Sequence, residues 1–157
     1  MKAATIKKIK TELGYHSQAE LVELCLRLSK FKKENKELLT YLLYESHNEA
    51  AFIQGIKDEI DEQFVQINTS SYFYIKKSVR KILRRVKTYI RYSKKKETEV
   101  ELLIYFCSVL KNMTPPMQDN VSLHNIYLRQ ITSIKKAISS MHEDLQYDYQ
   151  EELKMLE

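Results

Sequence analysis

The sequence predicts an all-α protein, built as a single-domain antiparallel bundle of five or six helices that ends in a long C-terminal helix. Three observations carry this. The 157 residues include two Gly and two Pro, fewer than the turns of an all-β chain or the phosphate loops of a Rossmann domain require. Leu, Ile, Lys, Glu and Tyr dominate, a composition that favours helix over strand. Apolar positions recur at spacings of three and four along most of the chain. A chain of this length fits one domain and can bury a sizeable core.

In chain order, residues 1–16 form a short basic N-terminal segment. Ile6, Ile9 and Leu13 mark one face of a short helix over Thr5–Leu13, which stops at Gly14, a residue suited to the position after a helix. Ser17 and Glu20 have capping-box spacing: the hydroxyl takes the N3 amide while the carboxylate reaches back. Leu21, Leu24, Leu28, Phe31, Leu38 and Leu42 follow, with Asn35 on the same seam. That pattern fits one helix running to about Tyr44, or a helix that breaks and restarts with Asn35 as its cap. Ser46 and Glu49 repeat the capping-box spacing and open a helix with Ile53, Ile56, Ile60, Phe64 and Ile67 on one side. Asn68–Ser71 supplies turn and N-cap chemistry, so the next helix should fold back as a helical hairpin.

That next helix is the stretch around which the chain is organised. Residues 72–96, YFYIKKSVRKILRRVKTYIRYSKKK, hold eleven of the 26 basic residues and no acidic one. Tyr72, Ile75, Val79, Ile82, Leu83, Val86, Tyr89 and Ile90 fall within an arc of about 120°, the width of a core-facing stripe. Lys76, Lys77, Arg80, Lys81, Arg84, Lys87 and Arg91 cover the opposite side, with Arg85, Tyr74 and Tyr92 along one edge. A basic amphipathic helix roughly 35 Å long results. Its cations would contact phosphates or another anionic partner by replacing counterions, and Tyr74 and Tyr92 would stack on exposed bases. The competing reading is internal neutralisation, with Asp58–Glu62 lying opposite roughly Ser78–Ile82 in the hairpin.

Thr98 and Glu101 give a third capping-box spacing. Val100, Leu102, Leu103, Ile104, Phe106, Cys107, Val109 and Leu110 are apolar nearly all round, which places Val100–Leu110 at the centre of the core. Residues 111–119, with Pro115 and Pro116, form a loop. From about Asn120 the stripe Leu123, Tyr127, Ile131, Ile134, Ile138, Met141 and Leu145 predicts one long helix continuing through Tyr149, Leu153 and Leu156. Its acidic end, residues 146–157, projects beyond the core in this reading.

Catalytic chemistry finds no support. No G-x-S-x-G, H-E-x-x-H, C-x-x-C or glycine-rich loop is present. His16, His47, His124 and His142 have no metal-ligand spacing, and Asp58–Glu62 lacks the E-x-x-H partner of a di-iron bundle. No catalytic residue, metal or cofactor is therefore expected. Cys25 and Cys107 lie in apolar patterns and read as small buried hydrophobes in a reducing compartment. The start MKAATIKKIK has no hydrophobic signal core, and no run reaches the ~18 apolar residues of a membrane span. The expectation is a cytoplasmic protein without membrane insertion.

The runs ELVELCLRLSKFKKENKELLTYLLYES (20–46) and KSVRKILRRVKTYIRYSKKKETEVELLIYF (77–106) resemble a family of small all-helical bacterial proteins to which no function is attached. The resemblance covers about residues 18–110 and implies a helical fold, but no activity and no site residues. The sequence thus leads to a non-enzymatic protein-interaction or scaffold module. Its partner surface would be the basic face or the long C-terminal helix, with self-association along Leu123–Leu145. The alternative is a nucleic-acid-binding accessory protein that contacts the phosphates of RNA or DNA through residues 72–96.

Overall fold

The computed structural model describes residues 1–156, and among them every regular element is helical and no strand occurs. Eight α-helices are present among the described residues, where the sequence predicts five or six. The chain divides into two compact units, Met1–Tyr44 and Glu45–Glu157, in place of the single antiparallel bundle expected.

The first unit holds α1 (Ile6–Leu13), α2 (Gln18–Phe31) and α3 (Lys33–Thr40), followed by a π-helical turn over Tyr41–Glu45. The Ser17 capping box forms: the Glu20 amide donates to Ser17 Oγ at 3.3 Å and the Ser17 amide to Glu20 Oε2 at 2.7 Å. Those bonds hold the Glu20 carboxyl below its ordinary range. The chain breaks between α2 and α3 at Lys32, whose backbone is extended (φ −142°, ψ 146°). Asn35 does not cap the new helix; its Nδ2 donates to the Leu28 carbonyl at 2.8 Å and so satisfies the end of α2. Of residues 1–44, Tyr41 is the one buried, at 4% exposure. Cys25 is exposed, which corrects its reading as a buried hydrophobe: a three-helix segment this short leaves most of its apolar stripe uncovered.

The second unit holds α4 (Glu49–Val65), α5 (Tyr72–Ser93), α6 (Lys96–Lys111), a 3₁₀ turn at Met117–Asp119, α7 (Val121–Ile138) and α8 (Glu143–Lys154). Helix α6 is its centre and packs against α4, α5, α7 and α8. Val100, Leu102, Phe106, Cys107 and Leu110 are fully enclosed, as an all-round apolar helix must be. Burial pushes the Cys107 thiol up to about 12, so it is neutral and inert at neutral pH.

Two of the expected capping boxes are used otherwise. Asn48 caps α4 by accepting from the Ala51 amide at 3.2 Å, in place of Ser46. Helix α6 starts at Lys96, before Thr98, and Thr98 is buried inside it.

The long C-terminal helix is broken. Helix α7 ends at Ile138, where Ser139 and Ser140 turn their hydroxyls back onto the carbonyls of Lys136 (2.8 Å) and Ala137 (2.7 Å). Such local bonds compete with helix continuation. His142 then caps α8, and the chain folds back so that Leu153 and Leu156 are buried. The Tyr127 hydroxyl donates to the Leu156 carbonyl at 2.6 Å, and Lys111 Nζ donates to the same oxygen at 3.0 Å. The acidic end is therefore docked rather than projecting, although its last residue, Glu157, lies outside the described residues. Most of the stripe offered for self-association is spent, since Leu123, Tyr127, Ile131, Ile134 and Ile138 are buried in the core, while Leu145 is 36% exposed.

Candidate functional site

Helix α5 owes its orientation to its apolar stripe. Ile75, Val79, Ile82 and Val86 are each at most 2% exposed, and their burial turns the opposite face to solvent. Lys77, Arg80, Lys81, Arg84, Lys87 and Arg91 are exposed on that face, while Lys76 is half-buried at its side. The helix ends at Lys94 in the left-handed region (φ 59°), closing the last turn with a bond from its amide to the Ile90 carbonyl at 2.9 Å.

One edge of α5 is fixed by α4. Glu59 accepts from the Tyr89 hydroxyl and lies 3.7 Å from Arg85 Nε. The Arg85 guanidinium in turn sits 4.2 Å from the Tyr89 ring centroid, within cation–π range. Burial first, then the Glu59 bond, pushes the Tyr89 hydroxyl well above its ordinary pKa, so it acts as a donor at neutral pH. At the other end Glu49 accepts from Ser93, from Thr98 at 2.6 Å and from Lys95 at 2.9 Å. A single carboxylate thus joins the start of α4 to the end of α5 and the first turn of α6.

These bonds set a register one turn away from the expected one, with Glu59 on Arg85 rather than opposite Lys81. The remaining acids of α4 turn elsewhere. Asp58 accepts from Gln54 at 2.8 Å, and Asp61 accepts from the Tyr105 hydroxyl at 2.6 Å. That bond and partial burial push Tyr105 up to about 12. Lys57, also on α4, pairs with Glu101 of α6 at 2.6 Å.

The result is an unbalanced surface. Among the described residues, no carboxylate oxygen lies within 4 Å of Lys76, Lys77, Arg80, Lys81, Arg84, Lys87 or Arg91. Arg80 donates to the Ser122 hydroxyl at 3.0 Å and Arg91 to the Thr88 hydroxyl at 3.2 Å, neutral partners that leave the charge uncompensated. Two shallow depressions follow the helix. One, of about 720 Å³, is lined by Phe73, Lys76, Lys77, Arg80, Lys81 and Arg84. The other, of about 600 Å³, lies where α5 meets α6 and includes Arg84, Lys87, Arg91 and Leu103, with Glu99 at its wall. Glu99 is paired with Lys96 at 2.8 Å.

Of the ten residues the sequence nominates, Lys76, Lys77, Arg80, Lys81, Arg84, Lys87 and Arg91 share this surface, and Tyr74 stands at its rim, 46% exposed. Arg85 is drawn off to Glu59. Tyr92 is 7% exposed and packs edge-on against Tyr89 at 6.2 Å, so it offers no face for stacking. Phe73, which is not among the ten, is 67% exposed in the first depression. The signal was available: Phe73 precedes Lys77, Arg80 and Arg84 by four, seven and eleven residues, the helical spacing of one face.

Among the described residues, no three His, Cys, Asp or Glu side chains are grouped as a metal site, and no helix is long and apolar enough to cross a membrane. No protein-family model, curated protein or solved structure matches the chain.

Proposed function

We propose that this protein acts by binding rather than catalysis, and that the exposed face of α5 contacts the phosphates of RNA or DNA. The observation that carries the reading is the row of seven basic residues between Lys76 and Arg91, none of which has a carboxylate oxygen within 4 Å among the described residues. Such a row repels itself in the unliganded protein and gains when phosphates replace its counterions. About six phosphate contacts on a single strand give a slope of log K against log salt near −4. Anisotropy of a labelled oligonucleotide should therefore show micromolar binding at ~50 mM salt that weakens about 10²-fold by ~200 mM. Binding that ignores salt, or none at ~50 mM, removes the proposal.

A second reading, a protein-interaction or scaffold module, is favoured by the first unit. It leaves Ile6 (81%), Tyr15 (81%), Leu28 (61%) and Phe31 (77%) in solvent. Exposed apolar surface of this density gains free energy when a second protein surface covers it. Self-association through this surface predicts a mass in light scattering that rises with protein concentration and falls back when Phe31 is changed to Glu. A mass that stays monomeric at all concentrations speaks against it.

A further inference from the structure

We infer that the α5 surface takes single-stranded rather than duplex nucleic acid, with Phe73 as its base-stacking residue. This rests on the phosphate-binding reading above. Phe73 is an apolar ring standing in a row of cations, 67% exposed, at the start of the face that runs on through Lys77, Arg80, Arg84, Lys87 and Arg91. A lone exposed Phe needs no explanation on an ordinary surface. Here it lines the same depression as five of the basic residues, a position where a polar side chain would be better solvated.

The geometry suits stacking. Phe73 and Tyr74 meet edge to face, with centroids 5.4 Å apart and planes at 80°. A perpendicular pair covers only one of its four ring faces, and the Phe73 side of the pair is 67% exposed. The neighbouring cations recur about once per helical turn, ~5.4 Å apart along the axis, a spacing that lets successive phosphates of an extended strand each meet one. A strand laid along α5 would thus have its backbone on Lys77–Arg91 and a base at the Phe73 end. Stacking of this type is sequence-tolerant, because every base has a π face. In a duplex each base already lies between its neighbours, so the Phe73 ring has nothing to stack on.

The test compares wild type with Phe73→Ala and Phe73→Trp by anisotropy at ~50 mM salt. The probes are a labelled oligothymidylate of about 20 nucleotides, longer than the common site sizes of single-strand binders, and a duplex of equal length. Phe73→Ala should weaken oligothymidylate binding about 5- to 100-fold and leave duplex binding within about twofold, because the substitution removes no charge. Phe73→Trp should retain single-strand affinity. Since the chain contains no Trp, its indole is then a unique reporter, and oligothymidylate but not duplex should quench its fluorescence.

Equal losses on both probes, no loss on either, or an unquenched indole would overturn the stacking assignment while the phosphate surface stands. Wild type that binds neither probe would overturn both. The variants report on binding alone, since an exposed ring contributes little to the fold.

Discussion

Changing Arg80, Arg84, Lys87 and Arg91 together to Ala will lower the affinity for a labelled oligothymidylate on the order of 10³-fold at ~50 mM salt. Each lost phosphate contact removes about 0.7 from the single-strand salt slope, so four remove about 3 and leave a slope near −1. The loss should be similar for any base sequence, because contacts of this kind position a backbone without reading it. The four residues suit the experiment because the fold does not depend on them. All are exposed, and their nearest polar partners are the hydroxyls of Ser122 and Thr88 or solvent. Surface changes of this kind usually stay within about 0.5 kcal/mol each, and removing four mutually repelling charges offsets part of that. Arg85 is left in place because its contacts with Glu59 and Tyr89 hold α5 to α4. An unchanged affinity, or a slope as steep as that of wild type, would show that the basic face is not the contact surface.

Phe106→Ala should cost about 3–5 kcal/mol, the range for deleting a buried aromatic side chain and leaving a cavity. Phe106 has 0% exposure at the middle of α6 and meets the Phe64 ring at 5.9 Å. Set against a typical total stability of ~5–15 kcal/mol, one substitution would bring the second unit close to unfolding. Phe31→Ala is the control. That ring is 77% exposed on α2, so its removal should cost no more than about 0.5 kcal/mol. Urea unfolding followed by circular dichroism separates the two: the midpoint falls steeply for Phe106→Ala with an unchanged m-value, and barely moves for Phe31→Ala. Similar midpoints for the two variants would contradict the placement of the core around α6.

Much of this protein was legible in the sequence, because helical periodicity is a local property. The stripe Ile75, Val79, Ile82, Val86 identified both the buried face of α5 and, by exclusion, the exposed cations. The all-round apolar run from Val100 to Leu110 identified the central helix. Capping motifs were less dependable. Ser17–Glu20 closes as a box, whereas α4 takes Asn48 as its N-cap in place of Ser46, and Thr98 lies inside α6. Glu49 serves Ser93, Lys95 and Thr98 instead, partners 44 to 49 residues away that no local pattern announces.

The sequence by itself determined the helical class, the amphipathic division of α5 and which side chains could form a cationic row. Only the tertiary structure decided which of the edge residues that row can use. Tyr74 and Tyr92 are 18 residues apart, about five helical turns, and so occupy the same angular position on α5. Yet Tyr74 is 46% exposed and Tyr92 is 7%. The difference is the reach of the neighbouring helix. Side-chain bonds place Glu49 of α4 beside Ser93 and Glu59 beside Arg85, so α4 shields the C-terminal half of α5. It stops at Val65, before the level of Tyr74. Periodicity assigns a residue to a face, but whether another element covers that face depends on where a separate helix ends.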